Sequence, residues 1–323
     1  MNMAQSVVSR AGGWHYQWQG APWNFVTGCE EHSPGCFLCY ARSDAVACKR
    51  RATGYNKKRL ATGKPGLATI GYQKDGRQTK FGVLPGSPSP GFGIDLRHDK
   101  LSKVPTGGKT RSVFVNSMSD LYGGQVPLQI IRDFYRAVRT RPGNTFMCQT
   151  KRPHIMAKQV AQAINGTPAP DNVWLGVTVE NADPQVLARI PYLQDMKRKG
   201  HAAHIYISFE PLVGLLPDDL DLGGIDWAYI GGESPQPIGT NPIAIQNCTN
   251  AGCQFTSTGQ AFRPMHPDWA RRVRDLLLKH GIPFLFKQWG APPVNPNPKT
   301  DPSFPGDPRG GCQLDGQLYD SCP

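Results

Sequence analysis

From Arg111 onward, short apolar runs alternate with helix-like stretches, and this rhythm constrains the fold more than any other feature of the chain. The runs are 112–115 (SVFV), 145–148 (TFMC), 173–177 (VWLGV), 205–209 (IYISF), 227–230 (WAYI) and 284–286 (FLF). Between them, 127–139 carries apolar residues at 130, 131, 134, 137 and 138, and 267–280 places Trp269, Val273, Leu276 and Leu277 on one helical face. Strands that alternate with helices pair in parallel. Such strands are covered on both sides, which accounts for continuous apolar runs. A seventh candidate strand, 23–26, precedes the others. The expected class is α/β, a partial or full (β/α) barrel, with an open doubly wound sheet as the alternative. No G-x-G-x-x-G loop follows any strand, so a dinucleotide site is not expected.

In α/β barrels the chemistry gathers at the C-terminal ends of the strands. Here those ends are polar almost every time: Thr27-Gly28-Cys29, Asn116–Asp120, Gln149–Arg152, Thr178–Glu180, Glu210-Pro211, Gly231–Ser234 and Lys287–Trp289. Helix capping alone would favour Ser, Thr, Asp and Asn. This set also supplies Glu, Lys, Arg and Gln, so a shared polar pocket is expected at that face.

Cys29-x6-Cys36-x2-Cys39 is the sharpest local signal. Three thiols fall within eleven residues, in a loop that Gly28, Pro34 and Gly35 can turn tightly. Structural zinc takes four ligands. A [4Fe–4S] cluster on three cysteines leaves one iron open. That iron can chelate S-adenosylmethionine (SAM), whose reductive cleavage gives a 5′-deoxyadenosyl radical. Three other readings stand beside this one: zinc completed by His32 or Cys48, a fully ligated cluster using Cys48 or Cys148, and structural cysteines without metal. Nine cysteines at uneven spacing in a chain of 323 residues argue for metal binding over a disulfide framework. Cys248, Cys253, Cys312 and Cys322 form a candidate second metal site, zinc or another cluster.

Charge is strongly localised. Residues 49–111 hold 15 Lys or Arg and three Asp, an excess that equals the +12 of the whole chain. A concentrated basic stretch points to a polyanion. Lys49, Arg50, Arg51, Lys57, Lys58 and Arg59, with Arg152, are the candidate nucleic-acid contacts. Residues 1–22 read as an N-terminal extension and 23–290 as the barrel, interrupted by an irregular basic insertion (61–110) and a cysteine-containing one (235–262). Residues 291–323 read as a Pro/Gly-rich tail. The N-terminus lacks an apolar signal core, and no apolar run approaches the roughly 20 residues that span a bilayer. A cytoplasmic protein with no membrane partner is expected.

The blocks WNFVTGC (23–29), SPGC (33–36) and CYA (39–41) are followed by FVNSMSDL (114–121), TKRP (150–153), NVWLGVTVE (172–180), FEPL (209–212), 226–234, RPMHPDW (263–269) and FKQWG (286–290). In this order they resemble an uncharacterised phage and prophage family with a three-cysteine motif that is thought to be radical-SAM-like. The resemblance covers roughly 23–290. It implies a partial barrel of the radical-SAM type, a cluster and SAM, in the cytoplasm of a bacterial host if the chain is phage-encoded. The common radical-SAM motif spaces its cysteines x3 then x2, with an aromatic before the third. Here the first gap is six and Leu38 holds the aromatic position.

The resulting expectation is a radical-SAM enzyme that modifies or repairs a nucleic-acid base, served by a flavodoxin- or ferredoxin-like electron donor. Asn116, Ser117, Asp120, Thr178, Glu180 and Tyr40 are the cofactor-facing candidates. Glu210, Glu233, Lys151 and Lys287 are the catalytic candidates. Two other readings remain at this stage. One is a radical-SAM enzyme on a nucleotide or peptide, with the basic loop recruiting phosphates or a partner protein. The other is a non-enzymatic nucleic-acid-binding module stabilised by zinc or a cluster.

Overall fold

The structure is a computed structural model that describes residues 22–43, 61, 94–105, 112–291, 294–296 and 310–323. Its centre is one six-stranded sheet of β1 (Ser112–Val115), β2 (Thr145–Thr150), β3 (Val173–Thr178), β4 (His204–Phe209), β5 (Trp227–Gly231) and β6 (Phe284–Gln288). Every pairing in it is parallel, and neighbours follow chain order. A doubly wound sheet reverses its strand order at a switch point; this sheet does not. Crossovers of one hand put the connecting helices on one face, and the sheet curls into a half-barrel. All six expected strands are present, each extended by up to two residues.

Among the described residues the helices of ten residues or more are α1 (Leu128–Val138), α2 (Pro153–Ile164), α3 (Arg189–Arg198) and α4 (Pro267–Lys279). α1 buries Ile130, Ile131, Phe134, Tyr135 and Val138, and α4 buries Ala270, Val273, Leu276 and Leu277. These residues join one continuous core with Val113, Val115, Phe146, Cys148, Leu175, Val177, Ile205, Ile207, Ala228, Ile230 and Phe286 of the strands. Successive strand residues point to opposite faces. The alternate positions, Met147, Tyr206, Trp227, Tyr229 and Leu285 with Phe114 and Trp174, therefore form a second, separate cluster on the concave face. Gly176 makes room for it, since a Cβ there would lie 2.3 Å from Cζ of Tyr206.

Short segments cover both sheet edges. Beside β1, Trp23 and Gly28 bridge in parallel to Val115 and Ser119. The seventh strand candidate is thus present as an irregular ribbon, whose Val26–Thr27 also pairs antiparallel with Asp95–Leu96. Beside β6, Asp320 of the tail bridges Leu285, and the Phe286 N–H donates to the Tyr319 carbonyl at 2.9 Å. Between β5 and α4, the strands Gln236–Pro237, Gln254–Phe255 and Gln260–Phe262 make a small antiparallel sheet next to the helix Pro242–Asn250. Most of 61–110, all of 44–60 and the extension 1–21 lie outside the described residues, and with them Cys48, Lys49, Arg50, Arg51, Lys57, Lys58 and Arg59. Among the described residues no helix is long and apolar enough to cross a membrane.

Candidate metal centre and adjoining cavity

Following the concave face to the C-terminal ends of the strands, the apolar cluster gives way to Asn116, Gln149, Ser208 and Lys287, two residues beyond their cluster neighbours, and to Thr178, four beyond Trp174. The Tyr229 hydroxyl donates to Gln149 Oε1 at 2.6 Å, and Gln149 Nε2 donates to Thr178 Oγ1 at 2.7 Å. This polar layer is the floor of two adjoining cavities. One, of about 140 Å³, is lined by Cys29, Cys36 and Cys39 together with Asn116, Asp120, Lys151, Arg152 and Thr178. The other, of about 570 Å³, is lined by Cys39, Lys151, Glu210, Tyr229, Glu233 and Lys287, among others. Gly35, Tyr40, Ser117 and Gln149 border both. The polar strand ends thus share one face.

The cysteine loop is held from below by two buried ion pairs. Arg152 Nη1 lies 3.0 Å from Asp120 Oδ2 and 3.9 Å from Cys29 Sγ, while Nη2 donates to the Glu30 carbonyl at 3.0 Å. Asp120 also accepts from Thr150 Oγ1 at 2.9 Å and from the Tyr122 N–H at 3.0 Å. Glu180 is fully buried, and Arg189 Nη1 contacts its Oε2 at 2.7 Å. Its Oε1 accepts from Ser33 Oγ at 2.5 Å and lies 3.9 Å from Lys151 Nζ. Gly35 packs directly on it, because a Cβ there would come within 2.5 Å of Oε1. Burial, reinforced by the Asp120 carboxylate and opposed by Arg152, pushes the Cys29 thiol up to about 12. Burial opposes the charge of Lys151, but Glu180, Cys36 and Cys39 outweigh it and hold its ammonium above the ordinary range. Burial, with Arg152 and Arg189 close by, lowers the His32 imidazole.

At the opposite end of the sheet two more acids are paired. Glu210 Oε2 meets Lys287 Nζ at 2.7 Å, and its Oε1 accepts from Gln288 Nε2 at 2.7 Å. Glu233 accepts from both the backbone N–H and Nε of Arg263 at 2.9 Å, with a further contact from Nη2. The charges at the strand ends are therefore largely matched within the protein.

The structure places the expected site residues as follows. Arg152 is only 6% exposed and is fixed to Asp120 and the cysteine loop, so it supports the loop. Glu180 and Asp120 hold the loop through ion pairs, and Asp120 also lines the smaller cavity. Cys148 is fully buried against Tyr122 and Tyr135, remote in role from any fourth ligand. Among the described residues no group of three or more His, Cys, Asp or Glu side chains is placed to hold a single metal ion, and this applies alike to Cys29, Cys36 and Cys39 and to the four late cysteines. Cys248 and Cys253 pack beside Leu38, with burial pushing the Cys253 thiol up to about 12. Cys312 is buried in the tail, and the exposed Cys322 donates to the Asp320 carbonyl at 3.6 Å. Tyr40 is half exposed, and its hydroxyl donates to the Ser117 carbonyl. His266 caps α4, accepting from the Asp268 N–H at 3.2 Å.

Sequence reading placed Gln149 at the polar face without giving it a role, and overlooked Ser33, Arg189 and the floor residue Tyr229. Period-two counting from Met147 reaches Gln149, and from Trp227 reaches Tyr229. Arg189 is nine residues from Glu180 across a turn, and no local pattern announces that pairing.

A family described as "Protein of unknown function (DUF5131)" matches residues 15–256 and 256–323. No curated protein matches. Among solved structures, a mutant of spore photoproduct lyase aligns with 86% of this chain and 76% of its own, at 12% identity and a TM-score of 0.36. The family match spans nearly the entire sequence, and the chain belongs to the family of unknown function DUF5131.

Proposed function

We propose that Cys29, Cys36 and Cys39 hold a [4Fe–4S] cluster with one open iron, that SAM binds in the adjoining cavity, and that the protein is a radical-SAM enzyme. The observation that carries this reading is the three-cysteine cavity of about 140 Å³ opening beside one of about 570 Å³ at the strand ends. The donor set fits. Cys29, Cys36 and Cys39 all line the smaller cavity, whereas a lone zinc ion would gather four ligands at about 2.3 Å or less. The amide Nδ2 of Asn116, which lines the same cavity, is buried without a hydrogen-bond partner. When bound, cluster and SAM together would supply one-electron cleavage of the sulfonium.

The chain's own residues then act as walls and anchors. Arg152, Asp120 and Glu180 fix the loop. Asn116, Ser117, Thr178 and Tyr40 face the cofactors. Lys151, Lys287, Glu210 and Glu233 border the larger cavity, where their matched charges favour a neutral, hydrogen-bonding substrate group such as a base. The substrate class, nucleic acid, rests on the +12 of residues 49–111. A base inside a duplex would have to be flipped out to enter. An external one-electron donor completes the system.

Reconstituted protein given dithionite and SAM should release 5′-deoxyadenosine, and Cys36→Ser should release none. Oligonucleotide binding should weaken steeply with salt, because basic contacts release counterions. No deoxyadenosine from cluster-loaded protein would overturn the enzymatic reading, and salt-independent binding would overturn the substrate class.

A further inference from the structure

We infer that Asn116 and Arg152 donate hydrogen bonds to the sulfur of the group held by the three cysteines and so set its reduction potential. The inference rests on the cluster reading above and concerns two residues that are not ligands.

Asn116 is 2% exposed and sits in the left-handed region at φ 55°, directly after β1. Its Oδ1 accepts from the backbone N–H of Phe25 at 3.1 Å and of Val26 at 3.0 Å. Those two donors fix which end of the amide is oxygen, since an NH₂ group there would face N–H groups. Its Nδ2 is left with two hydrogens and no partner. A buried donor left unpaired is costly, and such groups in folded proteins call for an acceptor or a function. Asn116 lines the cavity of Cys29, Cys36 and Cys39, where the acceptor would be sulfur.

Arg152 approaches from the other side. Its Nη1 is 3.9 Å from Cys29 Sγ, and the guanidinium is immobilised by Asp120 and by the Glu30 carbonyl. The two side chains come from the ends of neighbouring strands, β1 and β2, so the sheet itself fixes their spacing. An added electron raises the negative charge on cluster and thiolate sulfur. N–H donors aimed at that sulfur stabilise the reduced form and raise the potential.

The test is an EPR-monitored redox titration with dithionite on reconstituted full-length protein, without SAM, for wild type, Asn116→Asp, Arg152→Lys and Arg152→Gln. Asn116→Asp keeps the acceptor for Phe25 and Val26 and removes the donor. A lower midpoint potential than wild type is expected in Asn116→Asp and in Arg152→Gln at equal iron content, with Arg152→Lys restoring part of the shift. If the buried Asp unfolds the chain, the two Arg152 variants decide. Equal iron with an unchanged midpoint in the folded variants would overturn this inference and leave the cluster reading intact. Weaker SAM binding with an unchanged midpoint would also overturn it and assign Asn116 to SAM. A wild type that takes up no iron would overturn both.

Discussion

The loop of Cys29, Cys36 and Cys39 and the late cysteines at 248, 253, 312 and 322 differ in what stands behind them. Behind the first lie two buried ion pairs, Arg152 with Asp120 and Arg189 with Glu180, rooted in the ends of the central sheet. Behind the second lie apolar side chains and the tail, with the ion pair of Glu233 and Arg263 near Cys253. Cys248 packs with Leu38 and Ala261, and Cys312 is buried near the edge strand β6. Two ion pairs rooted in the sheet make the first loop the better supported of the two, which is why the proposed metal centre is placed there. Buried charge is expensive unless paired, so a loop resting on four charged residues is a structural commitment. The late cysteines need no such commitment to serve as small apolar residues.

The comparison breaks most visibly under cysteine replacement. Serine at 29, 36 or 39 should abolish iron uptake after anaerobic reconstitution, while serine at 248, 253, 312 or 322 should leave it at the wild-type level. Iron and sulfide analysis of the seven variants reads the difference directly.

Next in size is the loss of a buried partner. Arg189→Met leaves Glu180 buried with only Lys151, at 3.9 Å, for compensation. Stability should fall by about 3–5 kcal/mol, measured by urea unfolding of the metal-free protein, and iron uptake should fall with it.

A glycine pair sharpens the contrast. Gly35→Ala drives a Cβ to 2.5 Å from Glu180 Oε1 and should cost about 1–3 kcal/mol, along with much of the cluster. Gly252, in the late insertion, has a φ of +73° and nothing within 4 Å of an added Cβ. Its change to Ala should cost about 1–2 kcal/mol of backbone strain and leave iron content untouched.

The smallest effect belongs to the tail. Asp315 accepts from Arg271 and Arg274 of α4 at 2.7–3.1 Å, and these bonds hold its carboxyl below the usual range. A depressed folded pKa stabilises above the unfolded value of 3.8 and is lost as pH falls through it toward the folded one. Asp315→Asn should therefore flatten the acid limb of the stability profile and cost no more than about 1 kcal/mol at neutral pH, because the pairs are partly exposed.

Much of this was legible in the sequence. Continuous apolar runs separated by amphipathic helices marked six parallel strands, because burial on both faces leaves no polar alternation to mistake. The polar residue after each run marked the site face. What stayed hidden were pairings across the sheet. Glu180, Glu210 and Glu233 each stand at a strand end; an ion pair from Lys287 to one of them was a reading the sequence left open, but nothing local states that Arg189 and Arg263 neutralise the other two. Asp120 lines the small cavity while also pairing with Arg152, a double placement that no local pattern announces. The late cysteines fall in two places, since the tail runs along β6 and the insertion packs on Leu38.

The central claim is that three cysteines, and no others, hold a cluster with one open iron. Anaerobic reconstitution followed by iron analysis and EPR of the reduced protein, with and without SAM, tests it most directly. The account predicts about four irons per chain and a spectrum that shifts when SAM is added. Stoichiometric zinc with no cluster, or a cluster spectrum indifferent to SAM, would contradict it.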